Sequence, residues 1–295
     1  MIKRISFKMT LLALTAAISC TSVGAEELSW TGCGITKKAF MAEMAIAYEE
    51  KTGVSIRLSG GGATKGIRSV SAATSDLGGS CRHWLRGVGG DVHPEETNAE
   101  LIHVAWDALV VIVHPENPVD NISSDQLKQV YQGKITNWND LGGANKRIGL
   151  VTRDGKASGV GYMMRHLIFD DPGYEFEARS LKVKSTGPLE KKVESVKTAL
   201  AVDGISSAKR RKVKFLALDG VVPSKENIGS GRYALYRPLY LAVNKNTASK
   251  AARDFIAYVL SVEGQAIISN QGTVNIKEGA NLKALWDGKK SSLGL

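Results

Sequence analysis

The chain has 295 residues, 43% of them hydrophobic, and a formal net charge of +10 at pH 7. This length suits one large or two medium domains with a substantial core. The positive charge favours anionic partners through long-range attraction and does not indicate a fold. After the first 25 residues, no apolar stretch reaches the length of a transmembrane helix, which argues against a membrane-spanning protein and predicts a soluble mature chain.

Residues 1–25 are predicted to be a signal peptide. Three basic residues within the first eight positions precede a short apolar run, and the small residues at 23–25 fit a signal-peptidase cleavage site. Removal takes away these three positive charges and lowers the net charge from +10 to +7. The mature chain is therefore predicted to be secreted and to begin near Glu26.

The chain has three cysteines. Cys20 is either lipidated or removed with the signal peptide, and Cys33 and Cys81 belong to the mature chain. A lipoprotein would be lipidated at Cys20, but the residues at 17–19 match the usual preceding residues poorly. If Cys20 leaves with the signal peptide, Cys33 and Cys81 remain, and two cysteines in an oxidising compartment suggest a disulfide. Two thiols are a weak metal signal and the histidines lack ligand spacing, so neither metal nor cofactor is expected.

The mature chain alternates predicted strands and helices. In order, the first elements are a strand at 28–30, a helix with Thr36 as N-cap that stops at 52–53, a strand at 54–59, a glycine turn at 60–62 and a helix from about Thr64. Later elements are a helix capped by Ser124, a strand, glycine loop and helix at 147–169, and one or two helices at 247–272 whose predicted buried face is Ala251, Phe255, Ile256, Val259 and Leu260. The alternation predicts an α/β fold with parallel strand pairing.

Two long apolar stretches, at 101–113 and 233–243, flank a block rich in strands and helices. Buried strands that pass between two domains have this character. The pattern predicts a hinged protein in which domain I comprises 26–107 and 238–295, and domain II comprises 108–237.

A candidate anion site is built from four segments. Its predicted ligand-contacting residues are Thr36, Ala63, Thr64, Asp76, Arg153, Ser158 and Gly159. Most of these residues follow the predicted end of a strand, which is where α/β sheets place their ligands. The glycine turn also exposes the first N–H groups of a helix, which carry partial positive charge, although glycine turns are common for steric reasons alone.

Arg153 and Ser158 each have a functional and a structural interpretation. Arg153 can offer two parallel N–H donors to an oxyanion, or it can form a surface salt bridge with Asp154. Ser158 and Gly159 can present N–H groups to the same anion, or Ser158 can be an ordinary N-cap.

Asp76 is the residue on which the predicted selectivity depends. A carboxylate in an anion site repels its ligand unless the ligand has a proton to donate. The interpretation therefore favours hydrogen phosphate over sulfate, which is fully ionised at neutral pH. The alternative is that Asp76 is a turn or cap residue.

Several other charges are considered for the site. Arg82 could add a donor, and Lys37 and Lys65 could raise the local potential, whereas each could equally be solvated. The basic run at 208–215 lacks interleaved aromatic residues and is interpreted as a solvated edge, so no nucleic-acid partner is expected. Because neither a nucleophile elbow nor a phosphate-binding ATPase loop is present, the chain is predicted not to be an enzyme.

The chain resembles the periplasmic phosphate-binding proteins of ABC transporters. The motifs that carry this resemblance occur in the family's order: TGCGIT, AYEEKTGVSIRLSGGGATKGIRSV, SDLGGS, GKITNWNDLGG, TRDGKASG, LDGVVPSKENIGSGRYALYRPLYLAVN and YVLSVEGQ. The resemblance implies a two-lobed α/β fold with a ligand cleft between hinged domains. It also implies a monomeric periplasmic protein that captures inorganic phosphate or a related oxyanion for a permease in the inner membrane.

Carried over position by position, the resemblance assigns ligand contacts and two departures. The positions that match the family's ligand contacts are Thr36, Asp76, Arg153, Ser158 and Gly159. Ala63 and Val160 stand where hydroxyl side chains are expected, and Lys37 stands where an aromatic residue is frequent. The resemblance places Cys33 and Cys81 on neighbouring strands near the cleft, which supports a bridge between them.

The predicted function is therefore capture of phosphate, or of a similar protonated oxyanion such as arsenate, outside the cytoplasm. The alternative is an interaction or sensory protein that keeps this fold and has lost tight phosphate binding. A secreted phosphate-ester hydrolase is a weaker third possibility, because neither a metal cluster nor an activated nucleophile emerges from the sequence.

Overall fold

A computed structural model describes residues 26–87 and 89–292, with the side chains of 291 and 292 excepted. The predicted signal peptide, including Cys20, lies outside the described residues. The strands are β1 (Glu27–Gly32), β2 (Ser55–Gly60), β3 (Leu77–Ser80), β4 (Ala99–Val113), β5 (Asn121–Ile122), β6 (Gly149–Arg153), β7 (Leu181–Val183), β8 (Ala199–Gly204), β9 (Lys214–Phe215), β10 (Ala217–Leu218), β11 (Tyr236–Asn244) and β12 (Val274–Asn275).

The first helix is composite: α1 (Gly34–Thr36) continues through a π-helical turn (Lys37–Met41) into α2 (Ala42–Thr52). The other α-helices are α3 (Gly62–Ser71), α4 (Ser124–Tyr131), α5 (Gly159–Met164), α6 (Thr186–Ser195), α7 (Ile205–Ala208), α8 (Lys225–Gly229), α9 (Lys250–Leu260), α10 (Val262–Asn270) and α11 (Ala280–Ser292). A second π-helical turn (Arg165–Phe169) extends α5, and 3₁₀ turns occur at Pro94–Glu96 and Trp138–Leu141. Among the residues that the structure describes, no helix combines the length and the apolar character needed to cross a bilayer.

One mixed sheet organises the molecule, with the strand order β2-β1-β3-β11-β4-β8-β6-β7. Strand β1 is parallel to both of its neighbours, and β6 is parallel to β7 and β8, so each end of the sheet contains βα units. The predicted α/β class is confirmed. Since the carboxyl ends of parallel strands meet at one edge, the loops after β1, β2 and β3 come together.

Strand β4 joins the two halves of the sheet. It pairs with β11 as far as Ala108 and with β8 from Leu109 onwards, and it is buried continuously over 104–113. A nearly unbroken apolar run is typical of a strand that is covered on both faces. The change of partner lies beside the predicted boundary at 107–108, whereas the domain limits themselves remain a prediction.

The predicted ends and buried faces of three helices can be compared with the structure. Gly53 ends α2 with φ of 75°, as the Thr-Gly stop predicts. On α9, Phe255, Ile256 and Val259 are buried as predicted, whereas Ala251 is half-buried and Leu260 is 40% exposed. Helix α4 is capped by Ser123 rather than Ser124, because Ser123 forms a reciprocal capping box with the residue three positions later.

The predicted cap of the first helix is wrong. Thr36 lies inside the helix, and Cys33 caps it, with the Cys33 Sγ accepting a hydrogen bond from the Thr36 backbone N–H at 3.3 Å. Thiols are not usual capping groups, so a search for a hydroxyl or carboxylate cap selects the wrong residue. As a result Cys33, and not Thr36, stands at the end of β1.

Candidate functional site

A cleft of about 500 Å³ opens where both halves of the sheet end. Its lining comes from the loops after β1, β2 and β3 on one side and from those after β6 and β7 on the other. The lining residues are Cys33, Gly34, Ile35, Lys38, Gly60, Gly61, Gly62, Ala63, Cys81, Arg153, Gly159, Val160, Lys184, Ser185, Thr186, Gly187 and Arg211. This placement at the carboxyl ends of strands is the usual ligand position in α/β folds.

Two helices begin at the cleft without a side-chain cap. Helices α3 and α6 have no capping hydrogen bond from a side chain and no acidic residue in the first turn. In contrast, α4, α5, α8, α9 and α10 each begin with a serine whose side chain accepts a backbone N–H. The first N–H groups of α3 and α6 are therefore available to a ligand, and the helix dipoles favour an anion there.

Two glycines allow the backbone to come close at this edge. Gly62, the first residue of α3, has φ of 90°, which L side chains rarely adopt. A Cβ on Gly159 would lie 2.4 Å from the Cys81 Sγ, so glycine is required where α5 meets the loop after β3. These contacts bring the two sides of the cleft together.

The cleft is strongly cationic. Its charged lining residues are Lys38, Arg153, Lys184 and Arg211, and no aspartate or glutamate occurs among the described residues of the lining. Charges held in a concave surface act together on a diffusing anion. The site therefore attracts a multiply charged anion and contains no carboxylate that would repel it.

Arg153 is held in place by the loop between β7 and α6. Its Nη1 donates to the Thr186 Oγ1 at 3.2 Å, and its Nη2 donates to the Lys184 carbonyl at 2.8 Å. Behind this loop the Asp203 Oδ1 accepts hydrogen bonds from the Gly204 N–H at 2.9 Å and from the Thr186 hydroxyl at 3.4 Å. Burial, together with a nearby glutamate, raises the pKa of Asp203 to about 8. Asp203 is thus mostly protonated at neutral pH and leaves the charge of Arg153 uncompensated.

Glu190 anchors the other side of the cationic cluster. Its fully buried carboxylate accepts from the Lys38 Nζ at 3.2 Å and from the Arg211 Nε at 3.0 Å, and it also bonds the Ser207 hydroxyl. A buried charge requires such partners. Glu190 lies behind the lining, so it orients two cations without facing the ligand.

Arg237 lies beneath the floor of the cleft and contacts both sides. Its guanidinium is fully buried and pairs with Asp107, at 2.9 Å from the Nη2 to the Oδ2. Its Nη1 donates to the carbonyls of Cys81 and Gly159, each at 3.3 Å. This side chain joins the end of β3 to the start of α5 below the cleft.

Cys33 and Cys81 are adjacent on the floor, and the structure records both as free thiols. The predicted disulfide is not formed in this structure, and it stays a prediction for the oxidised chain. Burial raises the pKa of the Cys33 thiol, but hydrogen bonds from Cys81 and Thr36 lower it to about 7. The hydrogen bond with Cys33, with burial, raises the pKa of the Cys81 thiol. Near neutral pH Cys33 is therefore partly ionised, whereas Cys81 keeps its proton.

The structure brings only part of the predicted ligand set together. Ala63, Arg153, Gly159 and Val160 line the cleft. The other predicted residues with hydroxyls are held one layer back by internal hydrogen bonds. These are Thr36, which contacts the Cys33 Sγ at 2.8 Å, Thr64, which donates to the Ala157 carbonyl at 2.7 Å, and Ser158, which caps α5 by accepting from the Gly161 N–H at 3.0 Å.

The structure places Asp76 away from the cleft. This residue immediately precedes β3, at the opposite end of the strand from Cys81, and is not part of the lining. Its carboxylate accepts from the Ser29 N–H at 2.8 Å and from the Ser29 hydroxyl at 2.7 Å. Asp76 therefore ties two strand ends together, and the selectivity argued from it does not hold.

Arg82 is also structural. Its side chain is fully buried and donates to both oxygens of Glu96, at 2.7 and 3.0 Å, and to the Ala157 carbonyl at 3.1 Å. Lys37 and Lys65 are not among the lining residues. Arg82 therefore does not supply the extra donor for which it was considered, and the two lysines lie outside the lining.

Sequence reasoning missed five lining residues that carry charge or a hydroxyl, Lys38, Lys184, Ser185, Thr186 and Arg211. The segment at 184–187 follows a strand and opens a helix, which is the same signal that identifies the glycine turn. Strand β7 escaped notice because it has three residues and is largely exposed. Arg211 belongs to the run interpreted as a solvated edge, and at this residue that interpretation is wrong.

Comparisons with known proteins agree with this geometry. A phosphate-binding protein PstS from Borreliella burgdorferi is 25% identical over 283 residues, covering 93% of this chain and 99% of the relative. The Bacillus subtilis protein of the same name is 27% identical and covers 85% of this chain and 81% of the relative. A Clostridium perfringens protein, assigned as a phosphate ABC transporter substrate-binding protein and solved with bound phosphate, is 25% identical with a TM-score of 0.73, over 85% of this chain and 99% of that one.

A family model supports the same assignment over most of the chain. The model of the PBP superfamily domain matches residues 32–263. The match begins at the end of β1 and extends into α10, so it includes every lining residue of the cleft. The resemblance and the two-lobed periplasmic-binding fold that were predicted from the motifs are confirmed, and the chain belongs to the PBP superfamily.

Proposed function

We propose that this chain binds phosphate, or a closely related tetrahedral oxyanion, in the cleft and delivers it to an ABC permease. The observation that carries the proposal is the lining itself, which combines four cationic side chains with two uncapped helix starts and no carboxylate. Relatives named as phosphate-binding proteins over nearly the whole chain give the anion its identity.

The anion is held from both sides of the cleft. Arg153 offers a guanidinium fork from the end of β6, and α6 offers N–H groups beside it. From the other half, the loop after β2 offers the N–H groups of α3. Because the donors come from both halves, the bound anion bridges them and stabilises a closed arrangement.

Location and partners rest on the motifs and the relatives. The N-terminal motif of 1–25 supports export, and the family supports a periplasmic site of action. A monomer that exchanges its ligand with an inner-membrane permease fits both. No acid, base and nucleophile set is assigned, so the proposed role is binding and not catalysis.

Calorimetric titration with phosphate at pH 7 tests the proposal through Arg153. Arg153→Ala removes a charge-assisted donor pair, which is worth about 1.5–3 kcal/mol, so the Kd should rise by roughly 10- to 100-fold. Arg253→Ala is the matched control, because Arg253 is an exposed arginine on α9 that pairs with Glu100 and does not line the cleft. Equal effects of the two substitutions would place the phosphate site elsewhere.

One observation favours the second candidate, an interaction or sensory protein. Ala63 and Val160 present methyl groups where hydroxyl donors would strengthen anion binding. Each missing hydrogen bond costs about 1 kcal/mol. If the wild-type chain gives no binding heat with phosphate, sulfate or arsenate, this second function replaces the first.

A further inference from the structure

We propose that Cys33 and Cys81 form a dithiol site on the floor of the cleft that captures trivalent arsenic from its uncharged oxyacid, As(OH)3. This site is separate in chemistry from anion binding and does not depend on the proposed phosphate function. It assigns a ligand to two thiols that oxyanion binding leaves unused.

The two thiols lie side by side because of the strand register. Strands β1 and β3 are parallel neighbours, with Gly32 opposite Gly79, and the Cys33 N–H donates to the Gly79 carbonyl at 3.1 Å. Each cysteine follows its strand directly, both line the cleft, and their sulfur atoms are hydrogen-bonded to each other. Neighbouring thiols at the ends of two paired strands can together bind one central atom.

The pair is reactive as well as close. Thr36 contacts the Cys33 Sγ through both its hydroxyl, at 2.8 Å, and its backbone N–H, at 3.3 Å. Arg237 lies just below and stabilises negative charge on the sulfur. Burial raises the pKa of Cys33, but the hydrogen bond with Cys81, together with these contacts, lowers it to about 7, so the nucleophilic thiolate is present at neutral pH.

The surroundings select against metal cations. Four cationic side chains line the cleft, and the guanidinium of Arg237, paired with Asp107, lies beneath it. The described residues also contain no group of three or more histidine, cysteine, aspartate or glutamate side chains that could hold a metal ion. An uncharged oxyacid suffers no repulsion from these charges, and a soft central atom prefers sulfur ligands.

The capture step is a condensation without any change of oxidation state. As(OH)3 reacts with the two thiols to give a cyclic dithioarsenite, (Cys33-S)(Cys81-S)As–OH, and two water molecules. Two As–O bonds break and two As–S bonds form. Each departing hydroxide leaves as water, with one proton from Cys81 and the other from the Cys33 thiol or, where Cys33 is ionised, from the solvent. The remaining hydroxyl points to the cleft, where cationic side chains can hydrogen-bond it.

The test uses arsenite as the probe on the reduced full chain carrying Cys20→Ser, so that the pair supplies the only thiols. One arsenic per chain should remain after desalting, and intact mass should increase by AsOH minus two hydrogens. Both thiols should become protected from alkylation. Cys33→Ser or Cys81→Ser should weaken capture by about 100-fold or more, because a single thiol loses the advantage of chelation. The chain with natural Cys20 is the control and should capture one arsenic at the pair as well.

Two further results would overturn the proposal of a dithiol site. Phosphate titration of the same samples tests the proposed phosphate function independently. Retention of arsenic by the Cys33→Ser/Cys81→Ser double variant would place the site elsewhere. No retention by a reduced chain in which both thiols react with an alkylating reagent would mean that the pair cannot chelate. Arg153→Ala should weaken phosphate binding and keep arsenic capture, so failure of either function is distinguishable from failure of the other.

Discussion

At the scale of single residues, the two ends of β3 decide what the cleft can distinguish. Asp76 stands before the strand and binds Ser29, whereas Cys81 stands after it and faces the cleft. A carboxylate at the cleft would accept a proton from hydrogen phosphate and repel a fully ionised anion. Cys81 already forms a hydrogen bond with Cys33. The lining can therefore distinguish ligands by their charge and shape, and not by whether they carry a proton.

We therefore predict weak discrimination between phosphate and sulfate. Their Kd values at pH 7 should lie within about tenfold, or 1.4 kcal/mol, of each other. Asp76→Asn should leave both values unchanged within about twofold, because Asp76 is outside the cleft. Competition calorimetry measures both pairs.

A variant makes the selectivity prediction sharper. Cys81→Asp introduces a carboxylate at the floor and should weaken sulfate binding at least about tenfold more than phosphate binding. If the wild-type chain binds sulfate with a Kd several orders of magnitude higher than phosphate, another group must accept a hydrogen bond from the protonated ligand.

At the scale of elements, the segment from β7 to α6 and the end of β8 act together on the anion. Arg153 from β6 is tethered to the loop before α6, and that loop contacts Asp203 at the end of β8. Asp203 is neutral below a pKa of about 8, and the Cys33 thiol is neutral below a pKa of about 7. Above these values each group adds a negative charge near the ligand.

Anion affinity should consequently fall as the pH rises from 6 to 9. Sulfate is the suitable probe because its own charge is constant in this range. Each ionisation should lower its affinity by on the order of tenfold at an intermediate effective dielectric, because Cys33 lines the cleft and Asp203 bonds the lining residue Thr186. Isothermal titration at a series of pH values measures this decrease.

Two variants divide the pH profile between the groups. Asp203→Asn should remove the decrease near pH 8, and Cys33→Ser should remove the one near pH 7. The same linkage requires that bound sulfate raise both pKa values. A flat profile in the wild-type chain would show that neither group lies close enough to affect the ligand.

Most elements of the fold could be predicted from local patterns, and the errors have tertiary causes. The apolar run of β4 and the glycine stop at Gly53 are strong local signals, and both were predicted. Strand β3 is Leu-Gly-Gly-Ser, which has no strand pattern, and it becomes a strand because β1 and β11 pair with it on either side. If this segment is interpreted as a loop, Asp76 is wrongly assigned to the site.

The site was predictable only where glycine or serine marks a turn. Gly159 and the glycine turn stand out in the sequence, and Arg153 follows a clear strand. Lys184 and Thr186 follow a short exposed strand, and Glu190 and Arg237 act from behind the lining through contacts that no local pattern contains. These positions follow from how the two halves of the sheet meet.

At the scale of the whole molecule, one buried ion pair lies where the chain crosses between the two halves. Asp107 is near the point at which β4 changes partners, and Arg237 is in β11 directly opposite. The Asp107 Oδ1 also accepts from the Ser206 N–H at 3.1 Å and hydroxyl at 2.7 Å, so the pair ties β4, β11 and α7 beneath the cleft. Breaking such a pair leaves an uncompensated charge in the core.

Arg237→Met should lower the free energy of unfolding by about 3–5 kcal/mol, because Asp107 then remains buried without its partner. Adding Asp107→Asn removes that charge but keeps an oxygen for Ser206, so the double variant should recover at least about half of the loss. Urea unfolding followed by circular dichroism gives both values, with Arg253→Ala as a surface control expected to change stability by less than about 1 kcal/mol. A single variant as stable as the control would mean that solvent reaches Asp107. The crossing would then be held together by the apolar contacts of β4 and β11, and not by its central ion pair.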